Sequence, residues 1–351
     1  MQQLAGKVVV VTGASSGLGR ALALEFAKAG ARLVLAARRE HALEEAAQGC
    51  RALGGVVHTV VTDVTRPDQV EHLAQTAVQL AGGLDIWINN AGVTLFASLL
   101  DDGALDEHRR VIETNLFGAL HGARAAMPIF RKQGHGTLIN VGSILSKVGQ
   151  PFVPSYVISK FALRGLTDAL RAEFADERDI HVCTALPYAM NTPHFESAAT
   201  HAEHPAHAMA PEQAPLKVAR AIVALARNPR RELHVPRIAT LGLALHALVP
   251  RTVERLILHL LQRYHFDGRA QLATTGNLYA PSDESGPIRG HRPPRLTTAR
   301  AIAFVLRDLW SLQGEAFQRA LSNLRSTLRV LLGSPATPRL PASVATLSGH
   351  D

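Results

Sequence analysis

Cysteine is nearly absent: Cys50 and Cys183 are the two in 351 residues. Two such distant thiols form neither a metal-ligand spacing nor a disulfide framework, so a reduced, cytoplasmic setting is expected. Long apolar runs are missing too. No stretch reaches 18 uninterrupted apolar residues, and the longest candidate, 238–249, is broken by His246, so no bilayer span is expected. The start, Met1-Gln-Gln-Leu-Ala-Gly-Lys, has no basic n-region and no adequate apolar h-region, so no signal peptide is expected. Aromatics make up 5% of the chain and do not interleave with its basic residues. Nucleic acid is therefore not an expected partner. Lysine disappears between Arg289 and Arg339, where nine arginines face two acids, Asp308 and Glu315. That stretch holds seven of the net +8 charges, which bears on partners and not on chemistry.

What is present is enough for a large core: 47% of the residues are hydrophobic. The length suits one α/β domain with an appendage. Lys7 to Val11 reads as a strand buried on both faces. Thr12-Gly-Ala-Ser-Ser-Gly-Leu-Gly-Arg20 follows, and then a helical pattern. Gly13, Gly17 and Gly19 would let the backbone turn sharply and approach a pyrophosphate, which the helix N-terminus attracts. Arg32–Ala37 is a second strand. An acid at its end would grip a ribose hydroxyl, but Ala37 stands there, followed by Arg38 and Arg39. An arginine pairs bidentately with a 2′-phosphate. This predicts NADP(H) over NAD(H). Further strands are read at 56–61, at Leu84 to Asn89, over GTLINV before Ser143, at 179–186 and at 231–236. Alternating strands and helices give seven strands in a Rossmann-type, doubly wound parallel sheet.

The chemistry gathers between Ser143 and Lys160. Tyr156 and Lys160 are four apart in a helical stretch, so they stack on one face. A free tyrosine titrates near ~10 and must fall roughly 3 pH units, about 4 kcal/mol, to exchange a proton near neutrality. A nearby positive charge supplies roughly 1–3 of these. Lys160 is one such charge, and an oxidised nicotinamide ring would be a second. Ser143 could hold a substrate oxygen beside Tyr156.

Together these stretches resemble the short-chain dehydrogenase/reductase family, over about residues 4–236. The matching motifs are Thr12-Gly-x-x-x-Gly-x-Gly19, Asn89-Asn90-Ala91-Gly92 and Ser143 with Tyr156-x-x-x-Lys160. The resemblance implies that Tyr156 is the general acid/base, Ser143 steadies the oxygen, and Lys160 tunes Tyr156 and orients the ribose. It implies that Asn115 widens its helix and holds a water in line with the lysine. It assigns cofactor contacts to Ser15, Ser16 and Leu18 in the glycine turn, to Asp63 and Val64 at the adenine, to Asn90, Ala91 and Gly92, and to Pro187 and Thr192 near the nicotinamide. Asn89 is read as structural. For Asp63 a second reading stays open, as a cap on the helix after Pro67. Tyr188 departs from the family's glycine after Pro187, which puts the pocket floor in question.

His194, His201, His204 and His207 match no standard metal set, and the segment is expected to be a mobile, polar substrate lid. No metal is expected. Residues 237–288 are read as a helical extension, broken at Pro250, and a linker; 267–296 are Gly-, Pro- and Ser-rich and read as extended or flexible. Residues 289–351 read as a basic helical tail, partly disordered, with a hairpin over 297–332 hinged at Gly314. Basic amphipathic helices can touch an anionic membrane surface. The preferred reading is that the C-terminal helices cover the substrate end of the enzyme or a partner subunit. A homodimer or homotetramer is expected, acting on a small-molecule substrate, with apolar helices hinting at a hydrophobic carbonyl or secondary alcohol. The rival is a cofactor-sensing membrane-surface or protein-interaction module without turnover.

Overall fold

A computed structural model describes residues 4–101, 104–266, 268–281, 286–294, 299–300 and 303. The chain up to Val305 forms one compact unit. The hairpin read over 297–332 lies outside the described residues.

The order of elements is β1 (Val8–Thr12), α1 (Gly17–Lys28), β2 (Arg32–Ala37), α2 (Glu40–Arg51), β3 (Val56–Val61), α3 (Pro67–Ala81), β4 (Ile86–Asn89), β5 (Leu95–Phe96), α4 (Leu105–Ile112), a π-helical turn (Glu113–Phe117), α5 (Gly118–Gln133), β6 (Gly136–Val141), a 3-10 turn (Ile144–Ser146), α6 (Pro154–Glu173), β7 (Ile180–Pro187), β8 (Ala199–Thr200), α7 (Pro215–Arg227), β9 (Glu232–Val235), α8 (Ala239–Leu248) and α9 (Pro250–Tyr264). Seven strands pair in the order β3-β2-β1-β4-β6-β7-β9, all in parallel. Parallel neighbours need crossovers, and the helices supply them on both faces. The seven strands and their helices are those the sequence pattern predicts. The short parallel pair β5–β8 is an addition that it does not.

Side-chain alternation sets the layers. Val9, Val11, Leu33 and Leu35 enter one core with α1, α2 and α7. Val8, Val10, Val34 and Ala36 enter the other with α3 and α5. Strands apolar at every position are what a sheet covered on both faces requires. Each fully buried Val or Leu contributes about 1.5–3 kcal/mol to burial. Cys50 and Cys183 are buried and unpaired, and burial pushes both thiols up to about 11.

A buried polar chain ties the layers below the sheet's C-terminal edge. Trp87 Nε1 donates to Asn89 Oδ1 at 2.7 Å, and Asn89 Nδ2 donates to Asn140 Oδ1 (2.8 Å) and to the Ala119 carbonyl (3.0 Å). Asn140 Nδ2 then donates to Thr167 Oγ1 at 2.9 Å. Asn89 thus joins β4, α5, β6 and α6, the structural part expected of it.

The sheet order reverses between β1 and β4, and a crevice opens there at the strands' C-terminal ends. α8 and α9 follow the sheet, parted at Pro250. The described residues of the Gly/Pro/Ser-rich stretch after them form turns and bends with no helix or strand, and they are bonded to the body. Thr274 bridges Thr200, and Gly290 N bonds the Asn191 carbonyl.

Candidate active site

The crevice is one continuous cavity of about 660 Å³. Its walls include the glycine turn, Arg38, Asp63, Ser143, Tyr156, Lys160, Thr192 and the apolar faces of α8 and α9.

Local geometry places the reactive groups. Ser143 ends the β6 segment in an extended conformation (φ −158°) and caps the 3-10 turn, its Oγ accepting from Leu145 N at 3.2 Å. Pro154 opens α6, where a missing N–H costs nothing. Tyr156 therefore sits in the first turn, and Lys160 lies one turn on. Just before, Phe152 takes a left-handed φ of 68°, which costs a non-glycine residue of order 1–3 kcal/mol. Its carbonyl accepts from Ala97 N and its ring meets Phe266 edge-on.

The Ser143 and Tyr156 side chains line the same part of the cavity, and the serine hydroxyl acts to lower the phenol's pKa. Lys160 Nζ lies 5.4 Å from the Tyr156 ring centroid and donates to the Val141 carbonyl at 2.9 Å. Asn115 falls in the π-helical turn, the widening expected of it. Its Oδ1 accepts from Val93 N (2.8 Å), and its Nδ2 donates to the Val93 carbonyl (3.0 Å) and Ser159 Oγ (3.1 Å). A methyl on Gly92 would stand 3.2 Å from Asn115 Oδ1 and 3.8 Å from Lys160 Nζ, so Gly92 keeps this corner open.

The electrostatics correct one expectation. Burial pushes the Tyr156 phenol up to about 12, against which the Ser143 hydroxyl pulls only weakly. Burial also lowers Lys160 to about 8. Without a cofactor, desolvation outweighs the lowering contribution of Ser143, and the phenol is not made acidic. Beside them, burial and then Lys160 push His194 down to about 4, so its ring is neutral near pH 7. His194 Nε2 is hydrogen-bonded to Thr94 Oγ1 at 2.5 Å, and its ring lies 5.9 Å from that of Tyr156.

At the other end, the turn after β1 is a cradle. Gly13 has φ +65°, and a methyl on it would stand 2.8 Å from Ala91 Cα; one on Gly19 would overlap the Gly13 carbonyl oxygen. Asn90 pins this turn, its Nδ2 donating to the carbonyls of Thr12 (2.9 Å) and Gly13 (3.3 Å). Ser15, Ser16, Gly17 and Leu18 line the same space, with Ala91, Val64 and Pro187. A cradle with no room for a side chain beside a helix N-terminus fits a phosphate-bearing dinucleotide.

Arg39 Nη2 reaches Ser15 Oγ at 3.3 Å. Arg38 is engaged differently from the expectation: its guanidinium donates to the carbonyls of Asn277 (2.5 Å), Leu278 (3.3 Å) and Tyr279 (3.4 Å). Asp63 does not cap α3, whose N-cap residue is Arg66. Its Oδ1 accepts from Thr65 N and Oγ1, and its Oδ2 from Arg110 (3.2 Å). Burial raises Asp63, but those bonds and the Arg110 and Arg38 charges win, and its carboxyl stays below the usual range.

Tyr188 lines the cavity floor, its hydroxyl donating to the Ala210 carbonyl at 3.2 Å. It therefore narrows the floor and ties it to the segment above. That segment is no free polar flap. β8 is buried in it, and the histidines go separate ways: His201 to Glu107, His204 to the Arg269 carbonyl and His207 to the Pro293 carbonyl. Among the described residues no group of three His, Cys, Asp or Glu side chains could hold a metal.

The cavity's apolar end falls on the one-sided apolar stripe that the sequence carries at Val253, Leu256, Ile257, Leu260 and Leu261. Leu243, Leu256, Ile257, Leu260 and Leu261 line it, with Met190 and Met209. That stripe has the i, i+3/i+4 spacing of α9.

A doubly wound parallel sheet, a glycine cradle at its switch point and one cavity joining that cradle to buried ionisable groups define a nucleotide-dependent oxidoreductase. Residues 7–203 match the family model described as short chain dehydrogenase. The uncharacterized oxidoreductase YxnA of Bacillus subtilis is 35% identical over 260 residues, which is 73% of either chain. The 3beta-hydroxysteroid dehydrogenase 1 of Eggerthella lenta is 38% identical over 192 residues, covering 54% of this chain and 73% of that one. A crystal structure of a short-chain type dehydrogenase/reductase from Mycobacterium marinum superposes with a TM-score of 0.58 at 28% identity, over 66% of this chain and 94% of that one. The chain belongs to the short-chain dehydrogenase/reductase family, oxidoreductases that act on CH–OH groups with NAD(P) cofactors.

Proposed function

We propose that this protein interconverts a hydrophobic carbonyl and its secondary alcohol, with NADP(H) preferred. The observation that carries this reading is the single cavity, with the glycine cradle at one end, Ser143 and Tyr156 between, and the leucines of α8 and α9 at the other. Bound in the cradle, the nicotinamide would exchange a hydride with the substrate carbon. Tyr156 exchanges the proton at the substrate oxygen, and Ser143 holds that oxygen through its hydroxyl. Lys160 supplies positive charge beside the phenol and positions the ribose. Because burial alone holds the phenol high, the cationic ring of the oxidised cofactor is needed to lower it. Asn115 keeps the π-helical turn pinned to Val93, and with it the water that resupplies the proton.

The strand end at Ala37 carries no acid, and Arg38 and Arg39 follow, which supports the 2′-phosphate preference. Glycine turn, Asp63, Val64, Asn90, Ala91, Gly92, Pro187 and Thr192 would hold the rest of the cofactor. A steroid-like substrate class suits the leucine-lined end and the name of the Eggerthella lenta relative. The test is NADPH oxidation against a panel of apolar ketones. Tyr156→Phe should bind NADPH like the wild type and lose roughly 10²–10⁴-fold in rate, the range for a general acid. Equal inactivity of both proteins across the panel would replace the reading with cofactor sensing without turnover.

A further inference from the structure

The Gly/Pro/Ser-rich stretch after α9 follows the rim of the dinucleotide groove. At one end Leu278 is fully buried, packed with Val93, Leu95 and Ala199. Asn277 N donates to the Ser197 carbonyl at 2.9 Å. Three consecutive carbonyls, of 277–279, face the Arg38 guanidinium, and Arg110 Nε also donates to Leu278 O at 3.1 Å. Further on, the Pro287 carbonyl accepts from Gly17 N (2.9 Å), the first amide of α1, and the Gly286 carbonyl from Arg20 Nη1 (2.7 Å). Gly290 N then donates to the Asn191 carbonyl at 3.2 Å.

The contacts fall on the β1–α1 turn with the first turn of α1, on the segments after β2, β4 and β7, and on Arg110 of α4. Several of these segments line the groove, so the stretch bridges it from the adenine end towards Thr192. Its glycines sit where it touches the rim most closely. A methyl on Gly286 would overlap the Ser15 carbonyl oxygen, and one on Gly290 would stand 2.6 Å from the Thr192 carbonyl oxygen. The cavity persists beneath, with Asn277 and Pro281 among its lining residues. The stretch is a roof over the groove and holds the Gly17 amide and the Arg38 guanidinium at its rim.

We propose that residues 276–281 and 286–290 form a strap closed across the groove, which must let go of the rim before nucleotide enters or leaves. This rests on the reading of the groove as the dinucleotide site. A strap of this kind slows entry and exit alike and alters affinity little. Its bonds to the rim are to backbone carbonyls, so the barrier is set by chain geometry, and side chains on the strap are secondary to it.

The experiment is stopped-flow NADPH fluorescence on the full chain, with association rates from a concentration series and release rates from a chase with excess NADP⁺. Gly286→Val and Gly290→Val each force the strap off the rim. Gly268→Val, whose side chain meets nothing within 4 Å, is the control. Losing one or two net hydrogen bonds corresponds to about tenfold. Both rates should rise about tenfold in the two variants, with Kd within about threefold of the wild type and the control unchanged. Unchanged rates in both variants overturn the proposal. So does a faster association alone with tighter binding, which marks a plug, or a faster release alone, which marks a direct grip on the nucleotide. A wild type that binds no NADPH removes the nucleotide reading itself. In wild-type protein, hydrogen exchange of the rim-bonded amides of Asn277 and Gly290, followed in the EX1 regime, gives the opening rate without any substitution. Release that outruns that opening also overturns the strap.

Discussion

Asn89→Leu removes the hub of the buried polar chain while keeping the branched heavy-atom shape of the side chain. The Trp87 Nε1–H and Asn140 Oδ1 lose their partner, and both residues are fully buried. The Ala119 carbonyl loses one bond but keeps its place in α5. Each buried group left without a partner costs about 1–3 kcal/mol, so two orphans cost about 2–6, with a centre near 4. Against a native stability of about 5–15 kcal/mol this is a large fraction. Urea unfolding followed by circular dichroism should show a lower midpoint at unchanged slope. The double variant Asn89→Leu/Asn140→Leu should cost less than the two single changes summed, because the pair orphans each other only once. A loss below about 1 kcal/mol in Asn89→Leu, or strict additivity in the double variant, would refute the claim that this chain holds the layers together.

Three other outcomes are expected. Burial holds Lys160 near about 8, so its cation is present below pH 8 and lost above it; the rate of carbonyl reduction should fall through that region, and Lys160→Met should lack the falling limb. Burial raises Glu232, but the bonds from Lys147, Arg164 and His234 bring it from 4.5 to about 2. That stabilisation is fully present above pH 4.5 and disappears as pH falls toward 2. Thermal melts from pH 5 to pH 2.5 should cost the wild type about 2 kcal/mol more than Glu232→Gln. Arg38→Ala should lower the NADPH-over-NADH preference in kcat/KM by roughly ten- to a hundredfold, the worth of one charge-assisted bond; an unchanged ratio would place the 2′-phosphate elsewhere.

The sheet was legible because its determinants are local. Strands that are largely apolar, turns marked by glycine and helices of period 3.6 specify the alternation, and a fixed handedness does the rest. Tyr156 and Lys160 could be read as neighbours from their helix period, with Ser143 just before the helix; Asn115 entered only through the family resemblance. Three things were not legible. The height of the Tyr156 pKa depends on how much of the site is desolvated, a property of packing that spacing does not reveal. The partner of Arg38 lies some 240 residues away in sequence, on a stretch whose composition reads equally as a loose linker. Asp63 looked like a helix cap because Pro67 follows four residues on, but its carboxylate turns back to Thr65 and across to Arg110.

Both native sulfhydryls are shut inside the cores and hold their protons well beyond neutral pH. Maleimide dyes and nitroxide tags should ignore them. A single cysteine placed on the outer surface would then be the one quick-reacting position in the whole chain, so a pair of reporters needs no background replacement first.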